Sequence, residues 1–195
     1  MCIRDRYSRA AIKAEWKSLM IAREKAKVPL VIGSCGTCGT NGMVDWMENI
    51  TIELAEELNQ NIKIAKLYCQ QEKNFIKKKF QLSKIFPLNP APMLNDHLIE
   101  EMTNIVALAG AEQIQECINT GAEIILAGRT TDTAIISALP LMKGANPGSS
   151  WHGAKVVECG ALCSTNPTSG VVMVEFDKTG FTVEPMSKNA FCTSE

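Results

Sequence analysis

Two short stretches carry most of the chemistry this sequence can offer. Residues 33–42, Gly-Ser-Cys-Gly-Thr-Cys-Gly-Thr-Asn-Gly, follow the apolar run 28–32 and combine four glycines with hydroxyls and two thiols. Gly33, Gly36 and Gly39 would let the backbone approach an anion, while Ser34 and Thr37 offer hydroxyl groups. The spacing matches neither a dinucleotide fingerprint nor a P-loop, which needs a Gly-Lys-Ser/Thr ending. An anion-holding loop and a purely structural turn both remain open. Cys35 and Cys38 also form a CxxC, which could serve a thiol-redox protein if a helix N-terminus activated the first thiol. Zinc would need two further ligands at suitable spacing, so no metal site is expected.

The second stretch, Gly128-Arg129-Thr130-Thr131-Asp132, closes another apolar run. A guanidinium at a strand end presents a fork to carboxylate or phosphate, which makes Arg129 a candidate anion ligand. Asp132 is either a ligand-side residue or, more simply, the N-cap of the next helix. Trp151, Lys155, Glu158 and Leu162 follow helical spacing on one face, with His152 and Cys159 on the neighbouring stripe. Lys155 and Glu158 could bind or move a proton there, or simply form a surface pair worth a few tenths of a kcal/mol. Asp45 opens a helix beside the first loop, where a carboxylate is favourable near the N-terminus.

These groups need a scaffold, and the patterning supplies one. Continuous apolar runs at 28–33 and 123–128 read as strands buried on both faces of a parallel sheet. An alternating strand covers 61–68, helical periodicity covers 8–27, 45–59, 71–84, 112–119 and 133–142, and another helix carries Trp151 to Cys159. Residues 86–92 are a proline-rich connector, and 105–110 fits a helix or a strand equally well. Asp177-Lys178-Thr179-Gly180 between 171–176 and 181–185 predicts an antiparallel hairpin. The expected fold class is α/β: a layered, mainly parallel, Rossmann-like sheet with flanking helices and that hairpin at the C-terminal side. Ligands of such sheets bind beyond the carboxyl ends of the strands, where both stretches fall.

Composition narrows the partners. Twenty basic against 21 acidic side chains leave no field that would collect nucleic acid, and no apolar run is long enough to span a bilayer. A cytoplasmic protein with reduced cysteines is expected. Residues 1–6 fit no periodic element and read as a non-native scar, leaving 7–195 as a single domain, truncated at both ends.

Taken together, Ile32-Gly33-Ser34-x-Gly36-Thr37-x-Gly39, Asp45-Trp46, Ala127-Gly128-Arg129-x-x-Asp132-x-Ala134-Ile135, Trp151-His152-x-x-Lys155, Glu158-Cys159-Gly160-Ala161-Leu162, Val183-Glu184-Pro185 and Cys192-Thr193 resemble the acyclic terpene utilisation family. The words occur in the family's order across 28–193. The resemblance implies an α/β protein of acyclic terpenoid or branched-chain carboxylate catabolism, with a coenzyme A thioester as a candidate substrate and no other cofactor identified. The family supplies no settled catalytic list; a lyase or hydratase acting next to a thioester carbonyl would need a base and an oxyanion donor, and by role Glu158 or His152 is the candidate general acid/base and Cys159 a nucleophile or packed thiol. Gly33, Ser34, Gly36, Thr37, Gly39, Asp45, Arg129, Asp132 and Lys155 would hold the ligand. The alternatives are a non-catalytic anion- or acyl-CoA-binding subunit that needs a partner or a second copy, and the CxxC redox protein. Many relatives have small residues such as alanine where Cys35 and Cys38 stand, which weakens the last.

Overall fold

The structure, a computed structural model, describes residues 8–91, 93–168 and 170–193. The scar assigned to residues 1–6 lies outside them. Helix α1 (Arg9–Ala26) is capped by Ser8, whose hydroxyl accepts from the Ala11 N–H, and it ends at Lys27 in left-handed conformation. It feeds strand β1 (Leu30–Ile32), the first loop and helix α2 (Asn41–Glu57). Strand β2 (Ile64–Leu67), α3 (Lys73–Gln81), α4 (Asp96–Glu101) and α5 (Ala111–Asn119) lead to strand β3 (Ile124–Ala127). After the second loop come α6 (Asp132–Met142), α7 (Pro147–Val157), a 3-10 turn (Gly160–Cys163) and the hairpin β4 (Val172–Phe176) and β5 (Phe181–Pro185).

The sheet runs β1-β3-β2, all parallel, so β3 lies in the centre with Leu30 opposite Ile124 on one side and Ile64 opposite Ile124 on the other. Its four residues are fully buried, because helices cover both faces. The period of two divides them: Ile124 and Leu126 pack with Trp16, Met20, Ile50 and Leu54 of α1 and α2. Ala127 packs with Ile114, Ala134 and Ala138 of α5 and α6, and Ile125 with Cys117 of α5. On the first face the Trp16 indole N–H donates to the Thr51 hydroxyl at 2.9 Å, and that hydroxyl donates to the Met47 carbonyl at 2.7 Å. A buried indole and hydroxyl thus satisfy each other without water.

Beneath the sheet, Arg23 is buried to 4% exposure and pairs with Glu24 and Glu123; the other Glu123 oxygen accepts from the Lys63 N–H at 3.0 Å. The tie links the end of α1 to the starts of β2 and β3. The hairpin is antiparallel, with Val174 opposite Val183, and Asp177 closes its turn by accepting from the N–H groups of Thr179 and Gly180.

Three details depart from the sequence reading. The run 28–33 forms a half-buried edge strand rather than one covered on both faces, because a three-stranded sheet has a single central strand. Residues 105–109, for which patterning allows either element, are extended: Gln71 N–H donates to Ile105, Ala107 N–H to Cys69, and Ala109 N–H to Arg129. Helix α2 starts at Asn41, four residues before the expected 45, and takes in the end of the glycine-rich stretch. No helix among the described residues is long and apolar enough to cross a membrane.

Candidate functional site

The two stretches singled out by composition lie at the carboxyl ends of neighbouring strands and are zipped together. Ser34 and Cys35 donate their N–H groups to the carbonyls of Gly128 (2.8 Å) and Ala127 (3.1 Å). Ser34 Oγ lies 3.4 Å from both the N–H and the carbonyl of Thr130. Glycine is needed here for close approach: a Cβ on Gly39 would stand 2.4 Å from the Arg129 nitrogen, and one on Gly33 2.1 Å from Thr130 Oγ1. These two glycines therefore face the partner loop rather than an open ligand position.

The first loop is also strained. Ser34 (φ 47°) and Thr37 (φ 68°) adopt left-handed conformation without being glycine, alongside Gly36 (φ 63°) and Gly39 (φ 67°). A β-branched residue in that region costs on the order of 1–2 kcal/mol, which the surrounding contacts must hold in place. The result is a tight coil in which the N–H groups of Gly36 and Cys38 have no hydrogen bond among the described residues. Arg129, half-buried, lies over this coil and donates from Nη1 to the Thr37 carbonyl at 3.4 Å. It has no carboxylate partner among the described residues. Thr130 beside it is 1% exposed, and its Oγ1 has no hydrogen-bond partner among them.

The thiols behave differently from an activated pair. Cys35 is fully buried, and burial pushes its thiol up to about 12. Cys38 is half-buried with its sulfur 3.6 Å from the Thr40 hydroxyl. A redox CxxC needs an accessible, low-pKa first thiol, so the redox reading loses its physical basis. No group of three or more His, Cys, Asp or Glu among the described residues is placed to hold a metal ion.

The helix at 147–157 sorts the remaining candidates. Thr131, not Asp132, caps α6: its hydroxyl accepts from the Ala134 N–H at 3.2 Å, which leaves Asp132 exposed in the first turn. Helix α7 stops at Val157, with Glu158 at its C-cap and Gly160 in left-handed conformation, so Leu162 does not continue the face of Trp151 and Lys155, nor Cys159 the stripe of His152. Periodicity continues through such a break because it counts residues and cannot see where the backbone turns. Glu158 accepts from the Lys155 ammonium and from the Thr133 hydroxyl in the first turn of α6. Both bonds hold its carboxyl below the usual range. Thr133 had no sequence signal beyond its position two residues after the cap. His152 points the other way, edge-on to Phe181 of the hairpin at 5.2 Å, and Cys159 is exposed. Asp45 sits in the second turn of α2, where it accepts from the Tyr68 hydroxyl and, at 3.2 Å, from Lys66. That pairing, more than the helix dipole, lowers its pKa.

The site therefore unites Ser34, Thr37, Arg129 and Thr130, brings Glu158 to the start of α6, and leaves His152 on the hairpin side. Across residues 7–189 the chain matches the model of the acyclic terpene utilisation family protein AtuA. The chain belongs to this family. No protein of curated function and no solved structure is significantly similar to it. In this AtuA-family chain the matched region contains both loops, all three sheet strands and the hairpin. Membership implies involvement in acyclic terpene utilisation.

Proposed function

We propose that the chain binds a small-molecule carboxylate or acyl-CoA of acyclic terpenoid and branched-chain acid catabolism, with Arg129 as the anion ligand. The observation that carries this is a half-buried guanidinium with one long hydrogen bond and no counter-ion among the described residues, at the carboxyl end of the central strand. The N–H groups of Gly36 and Cys38, without a hydrogen bond among the described residues, lie in the coil to which it is bonded and would be the further donors an oxyanion requires. In a thermal-shift panel of branched acyclic acids, coenzyme A and their thioesters, a binder raises the melting temperature by mass action. Arg129→Ala is expected to weaken that binding about 10- to 100-fold, in line with about 1.5–3 kcal/mol for a charge-assisted hydrogen bond. Absence of any shift across the panel, or an equal shift in the variant, overturns the assignment.

A second reading, a lyase or hydratase acting next to a thioester carbonyl, is favoured by Glu158, whose side chain is 10% exposed and held at the start of α6. Its depressed pKa makes it a weak base at neutral pH, so it would need Lys155 or Thr133 to shift as substrate enters. If Glu158 is the base, Glu158→Gln lowers kcat about 100-fold or more with binding intact. Turnover in the purified variant equal to that of the unsubstituted chain removes Glu158 from the chemistry, whereas binding without any turnover by the unsubstituted chain leaves the binding subunit.

A further inference from the structure

Helices α3 and α4 stand side by side, held by three contacts. Lys73 Nζ donates to the Glu100 carbonyl at 2.7 Å, Lys77 pairs with the Glu100 carboxylate at 2.8 Å, and Gln81 Nε2 donates to the Asp96 carboxylate at 2.9 Å. The end of α3 therefore lies against the start of α4, and the chain between Gln81 and Asp96 leaves and returns at one tip. No residue of α3 is buried. Its outer face carries Phe75 and Leu82, two helical turns apart, flanked on either side by Lys78 and Lys79. All four are exposed, and the Lys79 ammonium lies 5.2 Å from the Phe75 ring centre. At the tip Phe86 is 80% exposed, and Leu88 and Met93 are each 87% exposed.

Charge and apolarity coincide at this end of the molecule. Residues 73–95 hold five lysines and no acidic residue, although the whole chain carries a net charge of −1. Lys78, Lys79 and Lys84 have no carboxylate partner among the described residues. We propose that this end of the α3–α4 pair docks on an anionic phospholipid surface, with Phe86, Leu88 and Met93 entering the boundary between headgroups and acyl chains and Lys78, Lys79 and Lys84 against lipid phosphates. Such a surface complements both features, acidic headgroups for the ammonium groups and acyl chains for the apolar ones. A second copy of the chain does not, because a two-fold contact through this face opposes the lysines of one copy to those of the other. The docking is peripheral, and Arg129 takes no part in it.

The test sediments the chain with vesicles of phosphatidylcholine alone and of phosphatidylcholine mixed equally with phosphatidylglycerol. Binding is expected to the mixed vesicles only, and it weakens as added salt screens the headgroups. Replacing Lys78, Lys79 and Lys84 together by Gln is expected to lower partition onto mixed vesicles about 100-fold, and Phe86→Ala with Leu88→Ala about 10-fold or more. The substituted side chains are exposed, so both variants keep the melting temperature of the unsubstituted chain. Gln at the exposed Lys25 and Lys188 leaves partition unchanged. No sedimentation with mixed vesicles, equal partition onto neutral ones, or equal partition of either tip variant overturns the proposal. So does a concentration-dependent dimer that Phe86→Ala with Leu88→Ala abolishes in a chain that binds no vesicle, which assigns the face to a second copy.

Discussion

Gly39→Ala is expected to destabilise the chain by about 3–5 kcal/mol, a drop of roughly 10–15 °C in melting temperature. The new methyl carbon would stand 2.4 Å from the Arg129 nitrogen and 2.6 Å from its Cα, and a φ of 67° adds strain. Backbone atoms cannot swing aside as a side-chain end can. Arg129 is further pinned because its carbonyl accepts from Ala109, so relief requires the two loops to separate. Since the same contact places Arg129 over the first loop, ligand binding should fall with stability. Gly42→Ala is the internal control: no atom lies within 4 Å of its Cβ position, and it sits in the first turn of α2. That change should be neutral or stabilising by up to about 1 kcal/mol. Equal melting temperatures for the two variants would show that the loops are not zipped as described.

Leu126→Ala is expected to cost about 2–5 kcal/mol, read as a lower denaturant midpoint at unchanged slope. Leu126 has no solvent exposure and lies on the central strand, against the side chains of α1 and α2 that include Trp16 and Met20. Neighbours on both sides of β3 and the helices above it limit how far the cavity can collapse, which places the cost towards the upper end. Leu30→Ala on the half-buried edge strand should cost less than half as much. A smaller loss at Leu126 than at Leu30 would contradict the central position of β3.

Patterning alone established that the chain alternates buried strands with amphipathic helices and ends in a hairpin, because burial on one face leaves a period that can be counted along the chain. Asp177-Lys178-Thr179-Gly180 marked its turn because an Asp side chain can satisfy the N–H groups two and three residues ahead, which the structure shows. The two loops at 33–42 and 128–132 were legible as strand-end loops for the same local reason. Their direct contact was not. It depends on β1 and β3 being neighbours although about 90 residues separate them, and no local pattern records which strands pair.

The glycines of 33–42 were therefore visible, but their purpose was decided by the tertiary structure: Gly33 and Gly39 make room for Thr130 and Arg129. Likewise the eleven-residue spacing between Trp151 and Leu162 describes one helical face only while the helix lasts, and α7 ends at Val157 with Glu158 as its C-cap. The sequence by itself determined the fold class, the hairpin and the candidate anion ligand Arg129, since each follows from local residue chemistry. Only the tertiary structure decided that Cys35 is buried and inert, that His152 faces the hairpin while Glu158 faces α6, and that Arg129 has no counter-ion among the described residues. Those outcomes depend on contacts between residues far apart in the chain, where packing and desolvation outweigh every local preference.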